Sequence, residues 1–482
     1  MGGLSRKAYM IEQIRNESDK PVLLLDAGGL LFERPMIPEP LLEARKMQAA
    51  GIIEAMGVMQ YAAVGIAAQD LAVGLNFLAR RNGTPALPWV SANLESETVP
   101  KGTIQPFILT RVAEISIAVI GLTDDQINTV PLSGPKDFRI LPWPDVLADT
   151  LKKVRGKADM IILLSSYPEE ANRRIAEEFE EINLIVQSGT STAAKPPRLF
   201  GNALITQVSS RGQYLGRMDI NWQPSSLQWG QAALRRHKEA KDRLDRISWR
   251  LGRMEKRLEQ RERMENPDYL QLLADKERTA EEISRLEGQA RPEQDQSSSY
   301  TGNFIALKVS LPEDPGVGKI VLQTRDAVNS THRKILEEAK RTGNVPASGP
   351  ESAMAGWQAC RSCHPEQTLF WQQTKHAGAW HTLEKARQQF NQDCLVCHVT
   401  LPTYDLETVV RDNLLAGLPP ELRGVGCEAC HGPGKRHAEK PEEFKPRRPD
   451  ASTCLQCHTP EHDPNFVHEE KVGIIRCPAA GH

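Results

Sequence analysis

Long apolar runs are missing from this 482-residue chain. The longest are short segments such as Met160 to Leu164, too brief to cross a bilayer, so no integral membrane segment is expected. Residues 1 to 20 also lack the apolar core of a secretory signal. Charge of one sign is absent as well. Sixty Lys+Arg against 62 Asp+Glu leave a formal net charge of -2, and nothing in that balance points to nucleic acid or an anionic membrane as partner. Histidine is scarce over most of the length. Of 12 histidines, only His237 and His332 precede residue 357, so the first three quarters are poor in the imidazoles that zinc and related ions use.

What is present is concentrated in the last quarter. Eight of the nine cysteines fall into four copies of Cys-x-x-Cys-His: Cys360, Cys363 and His364; Cys394, Cys397 and His398; Cys427, Cys430 and His431; Cys454, Cys457 and His458. Two thiols at this spacing bond covalently to a porphyrin, and the adjacent imidazole becomes the proximal ligand of its iron. Paired zinc ribbons also use Cys-x-x-Cys twice over, but zinc gives no reason for a histidine after the second cysteine each time. The expected cofactor is therefore four haem c groups, each with its iron. Attachment of this kind belongs to exported chains, so a periplasmic or extracellular location is expected, with a signal removed or upstream of Met1. Residues 357–482 are too few to bury a conventional core around four macrocycles, which must supply much of the apolar interior themselves. Cys477, in Arg476-Cys477-Pro478, is left as a free thiol.

The preceding residues divide by composition. In 1–225, short β-branched runs alternate with amphipathic stretches. Strands are expected at Pro21 to Asp26, Ala62 to Ile66, Ile115 to Leu122, Met160 to Leu164, Leu184 to Gln187 and Ala203 to Val208. Helices are expected at Leu41 to Met56, Gln69 to Arg80 and Pro168 to Glu181. That pattern predicts a layered α/β domain with buried central strands. Residues 226–295 turn charged and helical: Leu244, Ile247, Leu251, Met254 and Leu258, then Leu272, Thr279, Ile283 and Leu286 beyond Asn266-Pro267, predict an antiparallel helical hairpin. Its charge makes a solvated arm the plainer reading than a docking surface. Residues 296–342 supply a strand over Asn303 to Leu311 and a helix over Val317 to Arg341, which makes the hairpin an insertion in the α/β domain. A Gly/Pro/Ser/Ala-rich linker, 343–356, leads to the haem region at 357–482.

Phe370-Trp371-x-x-Thr374-Lys375-His376-Ala377, the second motif with Val399, and Gly424-Val425-Gly426-Cys427-Glu428-Ala429-Cys430-His431-Gly432-Pro433-Gly434-x-x-His437 together resemble the tetrahaem cytochrome c-554 family and related multihaem cytochromes. Leu401-Pro402 departs from that pattern, which has glycines there. The resemblance implies that His376 and His437 act as distal iron ligands. His462 and His468 lie on a polar C-terminal segment that favours solvated histidines, and they are the remaining candidates. His381 falls off the helical face of His376, and His482 sits at the terminus. If fewer than four distal ligands exist, one iron is open to small molecules.

Leu23-Leu24-Leu25-Asp26-Ala27-Gly28, Val64-Gly65, Ser91-Ala92-Asn93-Leu94 and Val208-x-x-Arg211-Gly212-x-Tyr214-Leu215-Gly216 resemble the metallophosphoesterase domain of the 5'-nucleotidase family. That family clamps phosphate between two metal ions. Its ligands are replaced here. Gly28-Gly29 stands for its Gly-Asp, Gly65-Ile66-Ala67-Ala68 for its Gly-Asn-His-Glu, Ser165-Ser166 for its Ser-His, and Gln187-Ser188-Gly189-Thr190-Ser191 for its Gly-Gly-His-Ser-His. The family's opening strand with Asp-x-His would lie before Met1, since Gly2-Gly3-Leu4-x-Arg6 is similar to the segment next after that strand. Asp26 and Asp70 remain as carboxylates, where turn or cap roles are the plainer reading.

The combined expectation is an electron-transfer protein. A phosphoesterase-like α/β domain without its metal ligands would serve as scaffold or docking module, and a mostly helical or irregular four-haem module would exchange electrons with redox proteins such as other cytochromes. Two alternatives stay open: a haem enzyme acting on a small nitrogen or oxygen species at an open iron, and a phosphoester hydrolase using the residual carboxylates.

Overall fold

The computed structural model describes residues 3–79, 87–189, 194–209, 212–224, 229, 233–255, 263, 266–289, 298–344, 353–459, 463 and 466–478, with the side chains of 233–240, 282 and 284–289 excepted. Outside these limits fall Thr190, Ser191, Arg211, Leu258, His462 and His482, the side chains of His237 and Leu286, and much of the expected linker.

The chain opens with α1 (Leu4–Glu17), β1 (Leu25–Asp26), α2 (Glu39–Met59), β2 (Ala63–Gly65), β3 (Trp89–Val90), β4 (Leu94–Glu95) and β5 (Ile104–Gln105). It continues through β6 (Phe107–Val112), β7 (Ile115–Leu122), β8 (Arg139–Ile140), α3 (Trp143–Val154), β9 (Met160–Ser165), α4 (Glu169–Glu178), β10 (Leu184–Gln187), β11 (Lys195–Phe200), β12 (Ala203–Gln207) and β13 (Tyr214–Asn221). One sheet has the order β1-β2-β3-β5 with parallel pairing; the other has the order β11-β12-β10-β9-β7-β6, parallel except at its two edges.

Side-chain alternation in the central strands makes the layers. In β7 and β9, Ile117, Val119, Met160, Ile162 and Leu164 point between the sheets, where they meet Ala27, Ala63 and Val90. Their neighbours Ala118, Ile120, Ile161 and Leu163 point the other way, onto Leu147 and Leu151 of α3 and Ile175 of α4. Strands buried on both faces read as continuous apolar runs, which is why these were legible. The outer face of the first sheet is covered by α1, α2 and α7 (Pro315–Arg341), through residues such as Ile11, Met56 and Val321. The result is a four-layer α/β/β/α domain.

One expected helix is corrected. Gln69 to Arg80 is not an α-helix over its described part: short 3₁₀ turns at Ala68–Leu71 and Leu75–Phe77 are separated by Gly74 at φ +87°. A Cβ there would lie 3.0 Å from the Pro135 carbonyl oxygen. Close approach of the 134–135 backbone therefore overrides the helical pattern. The strand expected over Asn303 to Leu311 is shifted to β14 (Ser299–Ala306), set by its pairing with β13 from Tyr214↔Ala306 to Asn221↔Ser299.

That ribbon is the gateway to the hairpin of α5 (Ala233–Glu255) and α6 (Pro267–Gln289). Leu244 meets Ile283, while Ile247, Leu251 and Met254 meet Tyr269, Leu272 and Leu273, an antiparallel register. Trp249 on α5 is 62% exposed beneath Arg253. After β14, Asp314 caps α7 by accepting the Val317 N–H at 2.7 Å, with Pro315 at the first helical position.

The C-terminal region is a succession of short helices: α8 (Trp357–Arg361), α9 (Pro365–Gln372), α10 (Ala379–Lys385), α11 (Gln392–His398), α12 (Leu406–Arg411), α13 (Cys427–His431), α14 (Lys435–Glu439), α15 (Ala451–Leu455) and α16 (His468–Ile475). Its one apolar cluster among the described residues, around Leu383, Leu395, Val399, Val409 and Leu415, includes Cys394 and Cys397 at its edge. No described side chain from Gly432 to Pro478 is buried. Among the described residues no helix is long and apolar enough to cross a membrane.

Candidate functional site

Each Cys-x-x-Cys-His segment folds as one short helical turn or its end, so its cysteines and histidine project together. The segments are then drawn into pairs: the thiols of Cys360 and Cys427 adjoin, as do those of Cys397 and Cys457. Burial pushes the Cys394 thiol up to about 11, with the Asp393 carboxylate adding to it, and burial likewise raises Cys430 to about 11. These thiols are protonated near neutrality.

The histidines are arranged more tellingly. His364 and His437 have ring centroids 6.3 Å apart with an interplanar angle of 22°, and His376 and His458 are 6.1 Å apart at 58°. Two imidazoles bound in line to one metal, with bonds of about 2 Å and roughly 1 Å from each nitrogen to its ring centre, have centroids about 6 Å apart. Both pairs therefore fit bis-histidine ligation of a haem iron. Each joins a motif histidine to one of the two expected distal ligands.

Hydrogen bonds fix the tautomers this needs. Nδ1 of His398 donates to the Ala379 carbonyl at 2.9 Å, Nδ1 of His431 to Arg447 at 3.0 Å, and Nδ1 of His437 to Phe444 at 2.7 Å. A carbonyl only accepts, so the proton sits on Nδ1 and Nε2 is left with its lone pair, the form that binds metal. His458 differs: its Nδ1 meets the Asp463 carboxylate at 2.9 Å. The pKa of His376 is depressed by burial and then by neighbouring His458, which also favours a neutral ring.

His376 is held where it is by the third motif's approach loop. Val425 N–H donates to the His376 carbonyl at 3.0 Å, and Trp371 Nε1 donates to the Val425 carbonyl at 2.8 Å. Gly424, at φ +93°, passes so close that a Cβ would lie 2.9 Å from the Ala377 oxygen. Glu428, between the cysteines of the third motif, is a residue whose role sequence reasoning missed. It is buried, and it accepts N–H bonds from Ala355, Gly356 and Gly434 at 2.8, 2.8 and 2.6 Å, tying the linker's end to the turn that carries His437. Only its position inside Cys-x-x-Cys could have hinted at this.

The other histidines stand apart. His381 is exposed and pairs with Glu384 at 3.2 Å. His468 starts α16, half-buried; among the described residues no second histidine ring lies against it, or against His398 or His431. A cavity of about 350 Å³ beside the third motif is lined by Leu401, Tyr404, Glu428, Pro433, Arg447 and Gln456, among others.

The module is seated on the α/β domain. Arg45 of α2 makes a bidentate pair with Asp393, both contacts 2.7 Å, immediately before Cys394. On α7, Asn329 accepts the Phe390 N–H at 2.8 Å and Asp326 pairs with Arg387 at 3.1 Å. Val410 of α12 enters the α/β core, and Leu336 of α7 packs on the haem-region cluster.

At and around Ser165 and Gln187, where the phosphoesterase resemblance would put metal ligands, neutral groups bond to one another. Asn93, fully buried, donates to the Thr123 and Leu141 carbonyls at 2.7 and 2.8 Å and accepts from the Thr123 N–H at 2.9 Å. Ser165 donates to Asn172 at 2.7 Å, Asn172 to Gln187 at 3.1 Å, and Gln187 to Gln207 at 3.0 Å. Asp70 is engaged by the backbone. Its buried carboxylate accepts N–H bonds from Gly29, Leu30, Leu31 and Ala67, between 2.6 and 3.0 Å, and so staples the 29–31 loop to the 67–70 turn. Burial pushes its pKa up while those N–H groups pull it down. Asp26 accepts from the Gly28 N–H at 3.1 Å and lies 3.5 Å from Lys7 Nζ.

Comparison with known proteins divides the chain in the same way. Residues 359–432 match the family model for cytochrome c554 and c-prime. Cytochrome c-554 of Nitrosomonas europaea is 32% identical over 104 residues, 18% of this chain and 40% of that one. The uncharacterized metallophosphoesterase YunD of Bacillus subtilis is 26% identical over 106 residues, 22% of each chain. This chain thus spans less than half the length of either relative. Among solved structures, a 5'-nucleotidase precursor from Thermus thermophilus superposes with a TM-score of 0.45 at 15% identity, over 68% of this chain and 53% of that one. The calcineurin-like phosphoesterase YfkN of Bacillus subtilis gives 0.42 at 16% identity, over 67% and 89%. The match in the C-terminal region implies c-type haem with its iron. This chain joins an α/β domain similar to metallophosphoesterases to a helical segment that matches the cytochrome c554 and c-prime family model.

Proposed function

We propose that the chain carries four c-type haems, attached at Cys360 and Cys363, Cys394 and Cys397, Cys427 and Cys430, and Cys454 and Cys457, and passes single electrons among them. The observation that carries this reading is the pair of histidine couples, His364 with His437 and His376 with His458, each spaced for one metal between them. Bound haem would supply a ferric/ferrous couple at each motif. The protein's own part is to present Nε2 lone pairs, through Nδ1–H bonds, and to bring the first motif beside the third and the second beside the fourth. His398 and His431 are the proximal candidates at the other two motifs, and His462 and His468 remain the distal ones. The α/β domain acts as scaffold, fixing the module through Arg45 and α7, with amides and hydroxyls where its relatives hold metal. The partners of the haem module would be other redox proteins in an exported compartment.

The test is haem mass and EPR spin state on the chain matured in a periplasm. Four covalent haems are expected. His437→Ala and His376→Ala should each turn one low-spin iron high-spin, and the double variant two, while His381→Ala changes nothing. A chain without covalent haem, or distal variants with wild-type spin populations, would overturn the reading. A wild-type high-spin fraction that responds to small nitrogen or oxygen ligands would favour a haem enzyme instead.

A further inference from the structure

The motif histidines differ in what holds the far side of the ring. For His398 and His431 the Nδ1 acceptor is a backbone carbonyl, a neutral dipole. For His458 it is the Asp463 carboxylate at 2.9 Å. Phe466 lies on the same ring, centroids 4.4 Å apart and 18° from parallel, and the His376 ring has its centroid 6.1 Å away. Asp463 is itself placed by its N–H bond to the Thr459 carbonyl at 2.8 Å, and Phe466 by its N–H bond back to the Asp463 carbonyl at 3.0 Å. Asp463 therefore delivers a charge to one nitrogen, and Phe466 a flat apolar surface to one face.

We infer that Asp463 is a positioning residue that makes His458 a more electron-donating ligand than His398 and His431, and so lowers the reduction potential of the haem at Cys454 and Cys457. This rests on the four-haem reading above. At similar length, a hydrogen bond to a charged carboxylate is stronger than one to a carbonyl and draws the Nδ1 proton further from the ring. The ring takes on imidazolate character, its Nε2 becomes a better donor, and partners of this kind are known to tune the metals they do not touch. The sign comes from charge: the ferric state carries one more positive charge than the ferrous, so a nearby anion favours the oxidised form. Both side chains are partly exposed, 36% for His458 and 40% for Asp463, and solvent weakens the effect without reversing it. Phe466 keeps the ring from rotating out of line with the carboxylate.

The experiment is a spectroelectrochemical titration of the full haem-loaded chain, wild type against Asp463→Asn and Asp463→Glu, with haem mass measured on each. Loss of a hydrogen-bond partner of a ligating histidine costs about 10- to 100-fold in metal affinity or activity, and the partial exposure of both side chains weakens the coupling here. Asp463→Asn should raise one midpoint of four, so that this iron's ferrous-to-ferric ratio increases at fixed potential. The other three should stay in place, and Asp463→Glu should restore most of the shift. Four haems with all midpoints unmoved in Asp463→Asn would overturn this inference alone. So would an equal shift in Asp463→Glu, because the carboxylate would then not be the cause. A wild-type chain lacking four covalent haems would instead sink the reading it rests on, and this inference with it.

Discussion

The two halves of the molecule fill their interiors by opposite means. In the α/β domain, β7, β9, β10 and β12 bury nearly every side chain, and most polar positions are closed by protein: Asn93, Asn172 and Gln187 are bonded to neighbouring amides, hydroxyls and carbonyls, while Gln207 accepts from Gln187 and its buried Nε2 has no partner among the described residues. In the haem region the described residues from Gly432 to Pro478 bury nothing, although they carry a full Cys-x-x-Cys-His and the His437 turn. Polar side chains are tolerable in that interior where hydroxyls and amides bond to one another, since paired groups carry little penalty. Among the described residues beyond Gly432 there is no such interior. Bound haem would supply the apolar surface that the tail beyond Gly432 lacks, and short helices below about 12 residues do not persist unaided in water.

The contrast breaks most visibly if the cofactor is withheld. In chain produced without haem attachment, amide exchange across 432–478 should lose protection completely while β7, β9 and β10 stay protected, because their stability comes from buried strands. Protection retained in 432–478 would show that protein contacts hold it. A smaller effect probes the other side. Asp70→Ala strands four backbone N–H groups at once, and at about 1–3 kcal/mol for each buried unsatisfied group the α/β domain should lose at least about 4 kcal/mol in denaturant melts. Chelators should leave the wild-type melt unmoved. A metal-dependent melt, or an Asp70→Ala variant of wild-type stability, would mean that something other than this staple joins the two loops.

How far the sequence could be read obeys the same divide. Strands such as Ile115–Leu122 and Leu184–Gln187 were legible to the residue, because burial on both faces leaves mostly apolar side chains. The hairpin was legible because Leu244, Ile247, Leu251 and their partners repeat along one stripe. Gln69 to Arg80 misled because the decisive fact, the backbone pressed against Gly74, comes from residues about 60 positions away. His376 and His437 were reached by resemblance, but which motif histidine each would face was not, since pairing across the module is set by Gly424, Glu428 and the turns they allow. Asp70 looked like a local cap, and its bonds to residues 29–31 are invisible without the fold.

The smallest expected effect lies on the seam between the halves. His332 of α7 is fully buried against the haem region: its Nδ1 accepts the Gln392 N–H at 3.4 Å, which leaves the proton on an Nε2 that has no partner among the described residues. Burial depresses its pKa to about 4, against the pull of Asp393, with Arg45 adding to the depression. That depression sets the sign of the pH dependence. Between roughly pH 6.5 and 4 the unfolded chain binds a proton that the folded chain refuses, so stability is intact above the first value and falls as pH drops toward the second. At about 1.4 kcal/mol per unit the accumulated loss is about 3 kcal/mol. His332→Gln, which cannot titrate, should flatten that slope relative to wild type in paired melts across this window while changing little in pH response above about 7. Identical slopes would mean that the seam opens to water before the histidine charges, and that the scaffold holds the haem region less tightly than Arg45 and Asn329 suggest.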